Sequence, residues 1–292
     1  MSYQPKHHAE QLTVPVRSLK YRIHRWGNAA AEPVFLLHGW ADTGMSFQFV
    51  ADTLAAHWCL IAPDWRGFGD TDWNPEGYWI PDYLADLDIL MDHFAPAGKV
   101  RLVGHSMGGN IVCLYAGVCP DRVSHVVSLD QYGLQDSDPA AAPERYARWL
   151  QDWRDTPRNN TYEDITPLIK RLRSLAPHLA QQQAQWLAQF WSKTDAAGRV
   201  ISKIDPGHKR INPVLYRREE ARACWRRVTA HALVVRGEES RIIERYTDQA
   251  LRTDFKRCFK SLEEVAIAHC GHMMHLDQPE QLAGILDNFL RK

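Results

Sequence analysis

Apolar runs of strand length alternate with segments of helical spacing along most of the chain. Tyr21 to Trp26 alternates in polarity, as a half-buried strand does. Pro33-Val34-Phe35-Leu36-Leu37 and Trp58-Cys59-Leu60-Ile61-Ala62 are continuous apolar runs, the pattern of strands covered on both faces. Between them, Phe47 to Ala56 has helical spacing, and a second helix is predicted from Tyr83 to Phe94. Val100-Arg101-Leu102-Val103 reads as a short buried strand, Asn110 to Ala116 as the start of an amphipathic helix, and Val123 to Leu129 as the next strand. After a long interval come strands at Ala232 to Val235 and Leu262 to Ile267, then a closing helix from Gln281 to Leu290. Strands separated by helices predict an α/β fold with a mostly parallel central sheet and helices on both faces.

The interval itself, from Gln131 to about Val228, is helical in texture and rich in Arg and Gln. It holds five of the eleven tryptophans, Trp149, Trp153, Trp186, Trp191 and Trp225. With few strand signals between two sheet strands, it reads as a helical cap over the strand ends. The expected organisation is a core of residues 1–130 and 229–292 with a cap of residues 131–228. Most of the tryptophans should join cap helices to one another, with one or two lining a cavity.

Composition narrows the functional classes. A chain of 292 residues with 45% apolar content can bury a large core. Lys plus Arg equals Asp plus Glu at 35 each, so no net field favours nucleic acid or an anionic membrane, and a small-molecule substrate fits better. The N-terminal residues lack a signal-peptide core, and no run approaches the roughly 18 apolar residues of a membrane span. A soluble, cytoplasmic protein, monomeric or homodimeric, is expected. The six cysteines lack C-x-x-C spacing and lie mostly in apolar stretches, which predicts neither disulfides nor zinc.

The chemistry concentrates at Val103-Gly104-His105-Ser106-Met107-Gly108-Gly109, a Gly-x-Ser-x-Gly between a strand and a helix. Such a turn forces the serine into strained dihedrals and needs small neighbours two residues either side, which Gly104 and Gly108 supply. A serine hydroxyl is a poor nucleophile at neutral pH. It needs an imidazole to take its proton, and that imidazole needs a carboxylate to fix its tautomer. His272, after Gly271 on a loop following the last strand, is placed to lean over the elbow. His275 reads as structural, at the entry to the next helix, and His105 as packed beside the nucleophile.

These residues resemble the α/β-hydrolase fold across nearly the whole chain. His38-Gly39-Trp40 follows the third strand, where that family makes half of its oxyanion hole. Asp64-Trp65-Arg66-Gly67-Phe68-Gly69-Asp70-Thr71 is similar to the family's D-x-R-G-x-G-x-S segment, with Thr71 where Ser is usual. Gly271-His272-Met273-Met274-His275-Leu276-Asp277-Gln278-Pro279-Glu280 resembles its G-H-x-x-H-x-E-x-P-E end. The resemblance implies Ser106 and His272 as catalytic residues, and the backbone N–H groups of Trp40 and Met107 as the oxyanion hole. His38, Trp40 and His105 are candidates to border the substrate.

The acid departs from the family's commonest pattern. It usually follows a glycine after the penultimate strand, but Gly237-Glu238-Glu239-Ser240-Arg241 has Ser240 and Arg241 at those places. The family's second location, the end of the strand after the elbow helix, holds Asp130, and Glu239 is the alternative. The leading reading is a serine hydrolase acting on a small to medium, hydrophobic ester or related acyl compound, or on a carbon–carbon bond beside a carbonyl. A second reading rests on similarity to the cofactor-free 2,4-dioxygenases of N-heteroaromatic compounds, through Gly39-Trp40, Trp65-Arg66-Gly67, Ser106 and Asp130. There the His–Asp pair would serve as base and the serine would not be acylated. A third is a catalytically weak, ligand-binding member. No metal or organic cofactor is implied: no G-x-G-x-x-G follows a strand, and no His or Cys cluster has ligand spacing.

Overall fold

Alternate residues of each central strand enter two different cores, one on either face of an eight-stranded sheet. In strand β3 (Pro33–Leu37), following β1 (Glu10–Val16) and β2 (Leu19–Trp26), Val34 and Leu36 join one core while Phe35 and Leu37 join the other. This two-sided burial is why such strands read as unbroken apolar runs. The computed structural model describes residues 2–155, 157–242 and 247–292.

The remaining strands are β4 (Cys59–Pro63), β5 (Val100–His105), β6 (Val123–Leu129), short strands β7 (Thr161–Tyr162), β8 (Ser192–Thr194) and β9 (Val200–Ser202), then β10 (His231–Gly237) and β11 (Leu262–Ile267). The main sheet runs β1-β2-β4-β3-β5-β6-β10-β11. β1 and β2 pair antiparallel, as do β2 and β4, and every other neighbour is parallel. β1 is an edge strand with a half-exposed pattern and Pro15 near its end, so its polarity signal is weak.

One face is covered by α1 (Gln48–Leu54) and the closing helix, the other by α2 (Ile80–Phe94) and α3 (Met107–Val118). Between β6 and β10 lie α4 (Ala142–Arg154), α5 (Thr166–Leu175), α6 (Gln181–Trp191) and α7 (Arg218–Trp225). After β10 come α8 (Gln249–Cys258), α9 (Met274–Asp277) and the closing α10 (Pro279–Leu290).

The segment between β6 and β10 is not uniformly helical. β7, β9 and β8 form a small antiparallel sheet, tied back to the core by a bridge between Phe68 and Ile204. Its tryptophans also part company. Trp225 packs against Phe255 in the core beneath α3, and Trp191 sits in the opposite core with its indole N–H 3.4 Å from Ser46 Oγ. Trp149 and Trp153 instead face a cavity. Among the described residues no helix is long and apolar enough to cross a membrane.

Candidate active site

β5 ends at His105, and the chain turns into α3 through Ser106 at φ 51°, ψ −112°. That dihedral pair is unfavourable for a residue with a Cβ, and the surrounding structure holds it. The Ser106 N–H donates to the Leu129 carbonyl at 3.0 Å, fastening the turn to the end of β6. Close packing leaves no alternative at the neighbouring glycines: a Cβ on Gly104 would run into the Gly108 carbonyl, and one on Gly108 into the Leu37 carbonyl.

β6 delivers Asp130 one residue beyond its end, at φ 55°, with its N–H bonded to the Val235 carbonyl of β10 at 2.7 Å. The carboxylate is wholly buried and accepts from three groups. His272 Nδ1 lies 2.6 Å from Oδ2, Ser240 Oγ donates to the same oxygen, and the Gly237 N–H reaches Oδ1 at 3.2 Å. Ser240, at the place where the acid is commonest, thus supports an acid supplied by another strand. Glu239 is half-exposed and pairs with His269 at 3.3 Å, away from His272.

The His272 loop is fixed at several points rather than free to swing. The Gly271 N–H donates to Asp277 at 3.0 Å, the Glu239 N–H to the Cys270 carbonyl at 2.9 Å, and Gln278 to the His269 carbonyl at 2.9 Å. His105 Nε2 donates to the His272 carbonyl at 2.8 Å, and the two rings lie 4.6 Å apart. Among the described residues the Ser106 hydroxyl has no hydrogen bond to His272. His105, which directly precedes Ser106, links the elbow to the His272 loop, and catalytic hydrogen bonds often tighten only when substrate arrives.

The loop after β3 passes directly over the elbow. A Cβ on Gly39 would stand 3.1 Å from Ser106 Cβ and 2.9 Å from His105 Nδ1. Among the described residues neither the Trp40 nor the Met107 N–H enters a backbone hydrogen bond outside regular elements, so both are available as donors. The Trp40 side chain is 51% exposed, and with Met107 it lines a cavity of about 140 Å³ whose other walls include Trp149, Trp153, Tyr78 and His208.

Two residues expected to border the substrate are buried. His38 is fully buried, with Nδ1 donating to the Gly39 carbonyl at 2.7 Å and Nε2 accepting from the Trp65 N–H at 2.8 Å, so it shapes the loop. His105 is buried beneath the elbow; the described residues that line the cavity include Trp40 and Met107 but not His105, Ser106 or His272. Both face inward because the strand ends that carry them are packed on both sides.

A polar network that the sequence does not announce lies beneath. Asp42 accepts from Ser46 and the Thr43 N–H and stands 3.2 Å from His275 Nε2. Burial alone would raise its pKa, but the His275 partnership outweighs burial and holds the carboxyl below its ordinary range. Asp42, His105 and His275 could each offer a metal-ligand atom within 4.8 Å of one another, yet Asp42 and His275 bond to each other and His105 to the His272 loop.

Burial, with His275 and His272 adjacent, holds His105 well below the ordinary histidine value. Burial likewise lowers His38, and pushes His208 down to about 3. These rings fold neutral, whereas the unfolded chain protonates them near about 6.5. The unfolded state therefore binds more protons below that pH, so their contribution is complete above about pH 6.5 and is lost as pH falls. Each contributes a slope approaching roughly 1.4 kcal/mol per pH unit. The melting temperature, followed by calorimetry, should fall steeply from pH 6.5 to 5, and a flat profile would contradict neutral burial.

A family model described as the alpha/beta hydrolase fold matches residues 32–279. Over 97% of its length the chain is 26% identical to a serine hydrolase-like protein of Danio rerio, covering 89% of that relative. It is equally 26% identical to a 3-hydroxybutyrate-oligomer hydrolase of Cupriavidus necator, covering 97% of each chain. Among solved structures, a thioesterase domain from the curacin biosynthetic pathway superposes with a TM-score of 0.85 at 21% identity, covering 95% of this chain and 99% of that one.

Proposed function

Since the chain belongs to the α/β-hydrolase-fold family and is a hydrolase, we propose that it is a serine hydrolase cleaving a small to medium ester or related acyl compound. The observation that carries this reading is the Asp130–His272 pair, 2.6 Å long with the carboxylate wholly buried, together with the strained Ser106 elbow. Asp130 accepts the Nδ1 proton and so leaves the Nε2 lone pair free to act as base. Ser106 Oγ attacks the carbonyl carbon while its proton passes to His272, and the carbonyl π pair moves onto oxygen. The N–H groups of Trp40 and Met107 stabilise that oxyanion, a contribution of about 3 kcal/mol per aligned donor. Collapse expels the alcohol, which takes the proton from His272, and water then releases the acid from the serine by the same route. The same attack would serve a carbonyl beside a cleavable carbon–carbon bond.

Residues 131–228 act as a cap in this reading, with Trp149 and Trp153 of α4 facing the apolar body of the substrate. The names of the Danio rerio and Cupriavidus necator relatives are in keeping with it. A panel of p-nitrophenyl esters with short aliphatic and aromatic acyl groups tests it. The expected result is catalytic turnover releasing acid and nitrophenol without uptake of dioxygen. Silence towards every ester, together with oxygen consumption on a hydroxylated N-heteroaromatic, would replace hydrolysis by dioxygenation.

A further inference from the structure

The cavity beside Trp40 and Met107 is walled largely by aromatic and apolar groups, and among its described lining residues one carries a full charge near neutrality, Arg210. His208, the other titratable base there, is clamped between Phe68 and Tyr78 at ring distances of 3.9 and 3.6 Å, and donates Nε2–H to the Arg66 carbonyl at 3.1 Å. Among the described residues no Asp or Glu lines the cavity. The Arg210 guanidinium lies 4.0 Å over the Trp153 ring, with its Nε buried and without a hydrogen-bond partner. Among the described residues Arg210 has no carboxylate partner. Asp152 accepts from the Ile211 N–H at 2.9 Å and from Arg148 at 3.3 Å.

A buried donor without an acceptor is costly to keep, so it marks a place that an acceptor can fill. A guanidinium over an indole can still offer N–H groups to an anion, and its fork geometry matches a carboxylate. We propose that Arg210 anchors a carboxylate of the substrate, making the chain a hydrolase of short esters that carry a free acid. This rests on the serine-hydrolase reading for the reaction, but not for the anion site itself. The cavity is comparable with the roughly 150 Å³ that takes up a benzene molecule, which suits a short aliphatic or single-ring group beside the carboxylate.

Two ester pairs test the proposal: mono-p-nitrophenyl succinate against its methyl-capped diester, and 4-acetoxybenzoate against its methyl ester. The first pair puts the charge on the acyl side and the second on the leaving group. The wild type should favour the acid over the capped ester in at least one pair. Arg210→Gln should lower that acid-to-neutral ratio of kcat/KM about 10- to 100-fold, mainly through KM, and Arg210→Lys should restore part of it. Independently, glutarate titrated into the Ser106→Ala protein should change tryptophan fluorescence saturably, and the change should vanish when Arg210→Gln is added. Equal handling of acid and capped esters by the wild type, or an unchanged ratio in Arg210→Gln, would overturn the anion anchor while leaving hydrolysis standing. Arg210-dependent glutarate binding without any ester cleavage would support the anchor and remove the hydrolase reading.

Discussion

Ser106→Ala is expected to lower ester turnover by roughly 10⁶-fold while leaving the fold intact, as loss of a nucleophile does when base and nucleophile act as a unit. Alanine removes only Oγ, and the elbow is held by backbone groups: the Ser106 N–H to Leu129, and the Asn110 N–H to the Ser106 carbonyl. The positive φ of 51° remains strained for alanine as it is for serine, so the melting temperature should move little. Steady-state kinetics with the p-nitrophenyl panel measures the loss. Retention of most of the turnover would point to a His–Asp base acting without an acylated serine.

Asp130→Asn is the second large effect, with an expected fall in kcat of about 10⁴-fold. Asparagine has the same shape but can present an amide N–H to His272 Nδ1. That imidazole would then have to accept at Nδ1 and carry its proton on Nε2, where the base must have none. Ser240 and the Gly237 N–H, which now donate to the carboxylate, would lose part of their acceptor as well. Glu239→Gln is the matched control. Its side chain is 55% exposed and bonded to His269, so turnover should stay near wild type, and a large loss there would move the acid to Glu239.

What the sequence makes legible follows from physical chemistry. β6 and β11 match the apolar runs Val123 to Leu129 and Leu262 to Ile267, because a strand paired on the sheet must offer side chains to two cores or to one core and solvent. Asp130 is readable as the acid because Ser240 and Arg241 leave the commoner place without a carboxylate, while an apolar strand ends directly before Asp130. α8 carries a fainter signal: Leu251, Phe255 and Cys258 stand at helical spacing, but only Phe255 and Cys258 are buried and most of its other residues are polar. The stretch from Ile243 to Tyr246 lies outside the described residues.

The cavity walls are illegible for a different reason. Tyr78, Trp149, His208 and Arg210 come from three distant stretches of chain, joined by contacts such as the Asp205 N–H to the Gly67 carbonyl at 2.8 Å and the Tyr78 hydroxyl to Asp205. No periodicity records contacts between segments so far apart in sequence. His38 and His105 show the converse. Their motif positions draw attention to chemistry, but the strand ends that carry them turn the rings inward, where they fix loops.

An activated serine at position 106 would react with a fluorophosphonate probe, and intact-mass analysis reads the adduct. A single stoichiometric adduct is expected on the wild type, none on Ser106→Ala, and greatly slowed labelling on Asp130→Asn. A correctly folded wild-type protein that stays unlabelled, or an adduct that persists in Ser106→Ala, would contradict an activated Ser106.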